Sequence, residues 1–177
     1  MAGASTVGLV VGNPKAQSRT LALAQQVAAA AADAAGLAGA TTLTIDLAEL
    51  GPQLFDRSSP GVQEAVNGIR SCSLVVVASP TYKASYTGLL KSFLDWFSTT
   101  DLQGIAVVPV MTGGSAHHAL AVEVHLRPVL VELGATLPTR GLYVTEGDLE
   151  EAGPVITTWL EAAGPPLRQA LSAPRGA

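Results

Sequence analysis

The sequence predicts an α/β fold: a three-layer sandwich around a five-stranded parallel sheet in the order 2-1-3-4-5. Three observations carry this reading. Short apolar runs alternate with helical patterns five times along the 177 residues, giving βαβαβαβαβα with no internal repeat and no linker. The run Leu74-Val75-Val76-Val77-Ala78 is continuous and β-branched, as expected of a strand covered on both faces. Right-handed crossovers then leave 2-1-3-4-5 as the common five-strand arrangement. One domain is expected over residues 1–171, with a flexible tail over 172–177.

The first strand is Val7 to Val11, stopped by Gly12-Asn13-Pro14. A helix follows from about Arg19 to Ala35, with Gly36 as its stop signal. Thr42 to Leu47 alternates with period two and reads as a strand with one better-covered face. Residues 48 to 60 read as a loop, and Val62 to Arg70 as a helix. After the strand at Leu74, a helix from about Thr87 to Phe97 places Leu90, Phe93, Leu94 and Phe97 on one face. Leu89, Phe93 and Trp96 widen that face and point to a subunit contact. Ile105 to Met111 is the fourth strand, and Thr112-Gly113-Gly114-Ser115 is a turn. A helix from Ala116 to Leu133 is closed by Gly134. Pro128 lies inside it and cannot donate to the Val124 carbonyl, which makes Ala121 to His125 a host for a π-bulge. Leu142 to Val144 is the fifth strand. The last helix starts near Pro154 and is expected to break at Gly164-Pro165-Pro166.

Composition narrows the function. Apolar residues make up 48% of the chain, which excludes disorder, and the net charge of −4 lacks the basic footprint of a nucleic-acid binder. The single cysteine, Cys72, excludes an internal disulfide framework and a multi-cysteine metal site. No segment reads as a targeting sequence or membrane span, so the expected compartment is the cytoplasm. Only 14% of residues are charged, which points to surface covered by another copy in a homodimer or homotetramer.

In such sheets ligands bind beyond the carboxyl ends of the strands, beside the switch point in strand order. That places the site on three polar loops. The first, Gly12 to Thr20, leads into a helix N-terminus, where free N–H groups and the helix dipole favour an anion. Ser18 and Thr20 offer hydroxyls there, and Arg19 and Lys15 offer charge. A phosphate fits; the alternative is an ordinary Ser18 N-cap with a solvated Arg19. The loop has neither the P-loop pattern nor the three-glycine dinucleotide fingerprint. The second loop, Ser79 to Gly88, presents main-chain N–H groups and Tyr82 at the sheet edge. The third lets the main chain approach a flat ligand at Gly113-Gly114, or is simply a tight strand-to-helix turn.

The ordered set Gly12-Asn13-Pro14-Lys15, Ser18-Arg19-Thr20, Ser79 to Lys91, Gly113-Gly114-Ser115 with His117, and Leu126 to Leu130 resembles the NADPH-dependent FMN reductases of the flavodoxin-like superfamily. It looks most like the branch that serves two-component monooxygenases such as alkanesulfonate monooxygenase, over roughly residues 5 to 146. The resemblance implies a flavodoxin-like sandwich that passes a hydride from NADPH or NADH to FMN and supplies reduced flavin to a partner monooxygenase. It implies that Ser18, Arg19 and Thr20 hold the FMN phosphate. It also implies that Pro80, Thr81 and Tyr82 border the isoalloxazine, and that Gly113 and Gly114 contact its polar edge. Thr112, Ser115 and His117 complete the expected pocket, and Lys15 and Lys83 are candidates for the extra phosphate of NADPH. Asn13 departs from the serine usual after the first glycine, leaving its side-chain amide to replace a hydroxyl. In the π-bulge region Val124 stands where relatives often carry Tyr or His.

Hydride transfer between nicotinamide and flavin is carried by the two ligands, so no catalytic acid–base pair is expected. His117, His118 and His125, with Glu123, lack a recognised metal-ligand spacing. Ser115 lies outside the nucleophile-elbow pattern. A quinone or azo reductase with tightly held FMN, and a non-enzymatic flavodoxin-like electron carrier, are the alternatives.

Overall fold

A computed structural model describes residues 5–172. Five parallel strands form one sheet in the order β2-β1-β3-β4-β5, as the sequence predicts. They are β1 (Thr6–Val11), β2 (Thr41–Asp46), β3 (Leu74–Pro80), β4 (Ala106–Gly113) and β5 (Leu142–Thr145). The register places Val10 between Ile45 of β2 and Val77 of β3. β3 and β4 pair as far as Pro80 and Thr112, so both strands run further than their apolar cores suggest. Thr112 and Gly113 are therefore strand residues rather than turn residues.

Two apolar layers cover the sheet. On one face α1 (Arg19–Ala34) and α6 (Ala152–Ser172) bury Leu23, Val27, Ile156 and Leu167 against Leu9, Val76 and Val108. On the other, α3 (Pro60–Ser71), α4 (Gly88–Leu94) and α5 (Arg127–Glu132) bury Ile69, Phe93 and Leu130 against Val75, Val77 and Val107. Small side chains permit close helix contact: a methyl group added at Gly164 of α6 would stand 3.7 Å from the Ala34 methyl.

Several local expectations need correction. The segment 48–60 holds the short helix α2 (Leu47–Leu50) and a 3₁₀ turn (Gly51–Phe55). Asp46 caps α2 by accepting the Ala48 N–H. α4 ends at Leu94, before Phe97. The Trp96 indole N–H donates to the Leu54 carbonyl at 2.9 Å, and the Arg57 guanidinium stacks over its ring. The helix expected from Ala116 begins instead as a 3₁₀ turn (Ala116–His118), followed by a π-helix (Val122–Leu126) and then α5. The π-turn lies one residue beyond the predicted bulge, and the Arg127 N–H donates to the Val122 carbonyl. The last helix does not break: α6 runs through Pro165 and Pro166. Proline is compatible with helical φ, and its cost lies in the carbonyls left without a donor. Those belong to Glu161 and Ala162, both exposed residues, so the helix is not forced to bury unpaired carbonyls there. The tail beyond Ser172 lies outside the described residues.

Gly12 fixes how β1 leaves the sheet. A Cβ there would lie 2.5 Å from the Leu90 Cβ and 3.2 Å from its Cα, both on the first turn of α4. Gly12→Ala is expected to destabilise the protein by about 1–3 kcal/mol through overpacking, measured by urea denaturation.

Candidate functional site

The carboxyl ends of β1, β3 and β4 lie side by side, and buried hydrogen bonds join the loops that follow them. The Gly12 N–H donates to the Ala78 carbonyl at 2.8 Å. The buried Thr87 hydroxyl accepts the Leu90 N–H, capping α4, and donates to the Gly12 carbonyl. Ser79 Oγ accepts the Thr87 N–H at 3.0 Å, and the Thr81 N–H donates to the Thr112 carbonyl at 2.6 Å.

Within the first loop the predicted residues divide by role. Ser18 is buried and its Oγ accepts the Leu21 N–H at 3.2 Å, an ordinary N-cap. The Thr20 hydroxyl is also buried, accepting from Asn13 Nδ2 at 3.1 Å and lying 3.4 Å from the Thr112 hydroxyl. Asn13 Oδ1 accepts the Lys15 N–H at 2.9 Å. The side chains of Asn13, Ser18, Thr20 and Thr112 thus organise the loop from inside. The Arg19 and Thr20 N–H groups meet no protein acceptor among the described residues, and the side chains of Arg19 and Lys15 are exposed. Free N–H groups at the start of a sixteen-residue helix form an anion seat.

The second loop carries conformational strain. Tyr82 and Ser85 exchange both main-chain hydrogen bonds, closing a two-residue turn over Lys83 and Ala84. Both take left-handed backbone, at φ of 50° and 64°. Hairpin turns of this form favour Asn-Gly, and an L side chain there costs about 1–2 kcal/mol. Together with Gln17 (φ 52°), these are the non-glycine residues of positive φ among the described residues, and all three lie in these loops. Gln17 is steadied by its N–H, which donates to Asp46 Oδ2 at 3.2 Å. The turn leaves Tyr82 53% exposed. Pro80 is half-buried at the end of β3.

In the third loop the two glycines differ. A side chain at Gly113 would strike the Tyr143 hydroxyl and Thr81, so this glycine serves internal packing. Nothing lies within 4 Å of the position a Cβ would take at Gly114, which is open to a ligand. Ser115 Oγ accepts the His117 N–H, and its carbonyl accepts from the Tyr143 hydroxyl at 2.8 Å. Burial pushes the Tyr143 phenol up, with the Glu146 charge adding to it and the nearby Thr81 hydroxyl opposing. Thr81 Oγ1 is buried with no partner in hydrogen-bond geometry. His117 is exposed.

Sequence reasoning missed three contributors: Thr87, Asp46 and Glu146. Thr87 belongs to the Ser79–Lys91 segment, and its role shows only once Gly12 is beside it. Glu146 follows β5, whose carboxyl end faces the same way. Its N–H donates to the Gly113 carbonyl at 2.8 Å, and its carboxylate pairs with Arg19 at 2.8 Å. A separate cleft of about 510 Å³ lies between the π-turn, residues 138–141 and α6, and no residue of the first two loops lines it.

The π-turn is pinned by Glu123, whose carboxylate accepts from Arg127 and from the Gly141 N–H. Burial alone would push this carboxyl up. The Arg127 and Gly141 bonds, with the charges of Arg127 and Arg140, outweigh burial and hold it below its ordinary 4.5.

Comparison with known proteins matches residues 5–149 to the family described as NADPH-dependent FMN reductase. The chain is similar to the FMN reductase (NADPH) of Pseudomonas aeruginosa, with 35% identity over 80% of this chain and 77% of that one. It is also similar to the NADH-dependent FMN reductase SfnF of Pseudomonas putida, with 39% identity, but the match spans only about half of each chain, 51% and 48%. Among solved structures, the apo form of the NADH:FMN oxidoreductase EMOB superposes with a TM-score of 0.84 at 32% identity, covering 96% of this chain and 91% of that one.

Two outcomes are expected. Replacing Lys83-Ala84 by Asn-Gly relieves the turn and raises unfolding stability by about 1 kcal/mol, read from denaturant melts. A carboxyl with a lowered folded value contributes stability that is complete above its unfolded value and is lost as pH falls through the folded one. Glu123→Gln is therefore expected to melt below the parent protein at pH 7, with the gap closing as pH drops below about 4.5.

Proposed function

We propose, because this chain belongs to the NADPH-dependent FMN reductase family, that it oxidises a reduced nicotinamide and delivers the hydride to FMN, taken up and released as a substrate. The observation that carries the reading is the pair of free N–H groups of Arg19 and Thr20, set beside the Arg19 guanidinium at the same sheet edge as the open Gly114 and the exposed Tyr82. The bare main chain at Gly114 suits the polar rim of a flat heterocycle.

The redox chemistry belongs to the flavin and the nicotinamide. The protein's part is placement. The start of α1 seats the phosphate, with Arg19 supplying charge. Pro80, Thr81 and Tyr82 border one side of the ring system, and the main chain at Gly114, backed by Gly113, meets its polar edge. Lys15 and Lys83, both exposed beside these loops, supply charge for the nicotinamide's own phosphates. No side chain needs to take or give a proton.

Reduced flavin is proposed to pass to a partner monooxygenase. Homo-oligomer formation is proposed through the π-turn face, where Leu120, Val124 and Val131 are exposed.

The test is steady-state oxidation of NADPH and of NADH at increasing FMN. A saturable dependence on free FMN is expected; turnover independent of added FMN would overturn the substrate reading. Arg19→Ala is expected to weaken FMN about tenfold, the scale of one charge-assisted hydrogen bond, measured by quenching of flavin fluorescence.

A further inference from the structure

Arg19 is the cation nearest the proposed phosphate seat, yet in the structure it is already engaged. Its guanidinium meets the Glu146 carboxylate at 2.8 Å, across 127 residues of chain. The two side chains keep 60% and 54% of their exposure, so the pair stands in water and neither charge is locked in place. The Glu146 carboxylate makes no other hydrogen bond or ion pair among the described residues. Its backbone, in contrast, is held: its N–H is bound to Gly113, and the Asp148 N–H returns to the Thr145 carbonyl at 3.0 Å while the Thr145 hydroxyl bonds the Asp148 carboxylate. The carboxylate therefore sits on a fixed stem directly after β5 and reaches the first residue of α1, where a phosphate would also reach.

We propose that Glu146 competes with the flavin phosphate for Arg19, holding the guanidinium while no flavin is bound and yielding it when the phosphate arrives. This rests on the reading of Arg19 given above. A phosphate monoester wins the exchange because it carries about −1.5 to −2 charge against −1 for a carboxylate. It also gains the Arg19 and Thr20 N–H groups, which Glu146 does not use. The exchange still lowers flavin affinity, because an ion pair must be given up and a negative side chain stays close to the bound phosphate. An exposed pair of this kind supports a change of about two- to fivefold in affinity. A reductase that must release its flavin gains from such a competitor.

The experiment titrates FMN and riboflavin, which lacks the phosphate, into the parent protein, Glu146→Gln, Arg19→Ala and the double variant. Flavin fluorescence is the readout, with thermal melts to confirm folding. Glu146→Gln is expected to bind FMN about two- to fivefold more tightly and riboflavin unchanged. In the Arg19→Ala background the gain should shrink towards nothing. Unchanged or weaker FMN binding in Glu146→Gln overturns the proposal. So does an equal gain for riboflavin, or an equal gain without Arg19, since either makes the effect general rather than a contest for one guanidinium. Failure of the parent protein to bind FMN at all would strike the functional reading itself and is told apart by that control.

Discussion

The main chain at Gly12 and the first turn of α4 occupy almost the same space, and the candidate site is built around that contact. Gly12 donates to Ala78 of β3 and accepts from the Thr87 hydroxyl, while Leu90 fills the volume a side chain would need. Thr87 in turn caps α4 and is held by Ser79. The exit of β1, the end of β3 and the start of α4 form one buried knot. Because the knot is satisfied internally, the loops leave it from fixed stems, and their outer surfaces are free to face a ligand. A glycine, a threonine and a serine thus convert sheet topology into a fixed candidate binding edge.

The polar side chains behind that edge serve one another. Asn13, Thr20 and Thr112 form a small buried network, and Ser18 turns its oxygen to its own helix. Buried polar groups need such partners to avoid a desolvation penalty. What remains for an anion is main-chain N–H and the exposed side chains of Arg19 and Lys15. Donors of that kind are pre-oriented by strands and a helix end, so they cost little reorganisation, but they are few. In the proposed reading, a flavin held this way binds without the many side-chain contacts that would make it a permanent cofactor.

The layers of the fold were legible in the sequence where a single physical signal dominates. Val75-Val76-Val77 marks a strand buried on both faces, and Pro128 marks the loss of a helical donor close to where the π-turn forms. α6 was misread because Gly164-Pro165-Pro166 was weighed as a local sequence, whereas the freed carbonyls open to solvent and α1 packs against the same stretch. The site was legible as a set of loops but not in its division of labour. Thr20 and Thr112 are 92 residues apart, and nothing in either segment tells that their hydroxyls meet. Glu146 was invisible for a related reason: it belongs to no motif and matters only because the fifth strand ends beside the first helix.

The backbone of the second loop adds a last step. Lys83 and Ala84 occupy left-handed conformations that glycine or asparagine would adopt at lower cost, and folding gains nothing evident from the choice. The strain is spent at the tip that carries Tyr82 clear of the core, in a chain where aromatics make up only 5% of residues. An aromatic ring packed into its own protein lowers the free energy of folding; one held out on a costly turn does not. In the proposed reading the turn keeps a single flat surface beside the flavin and leaves its other side open. That asymmetry suits a site that a nicotinamide must enter and a reduced flavin must leave.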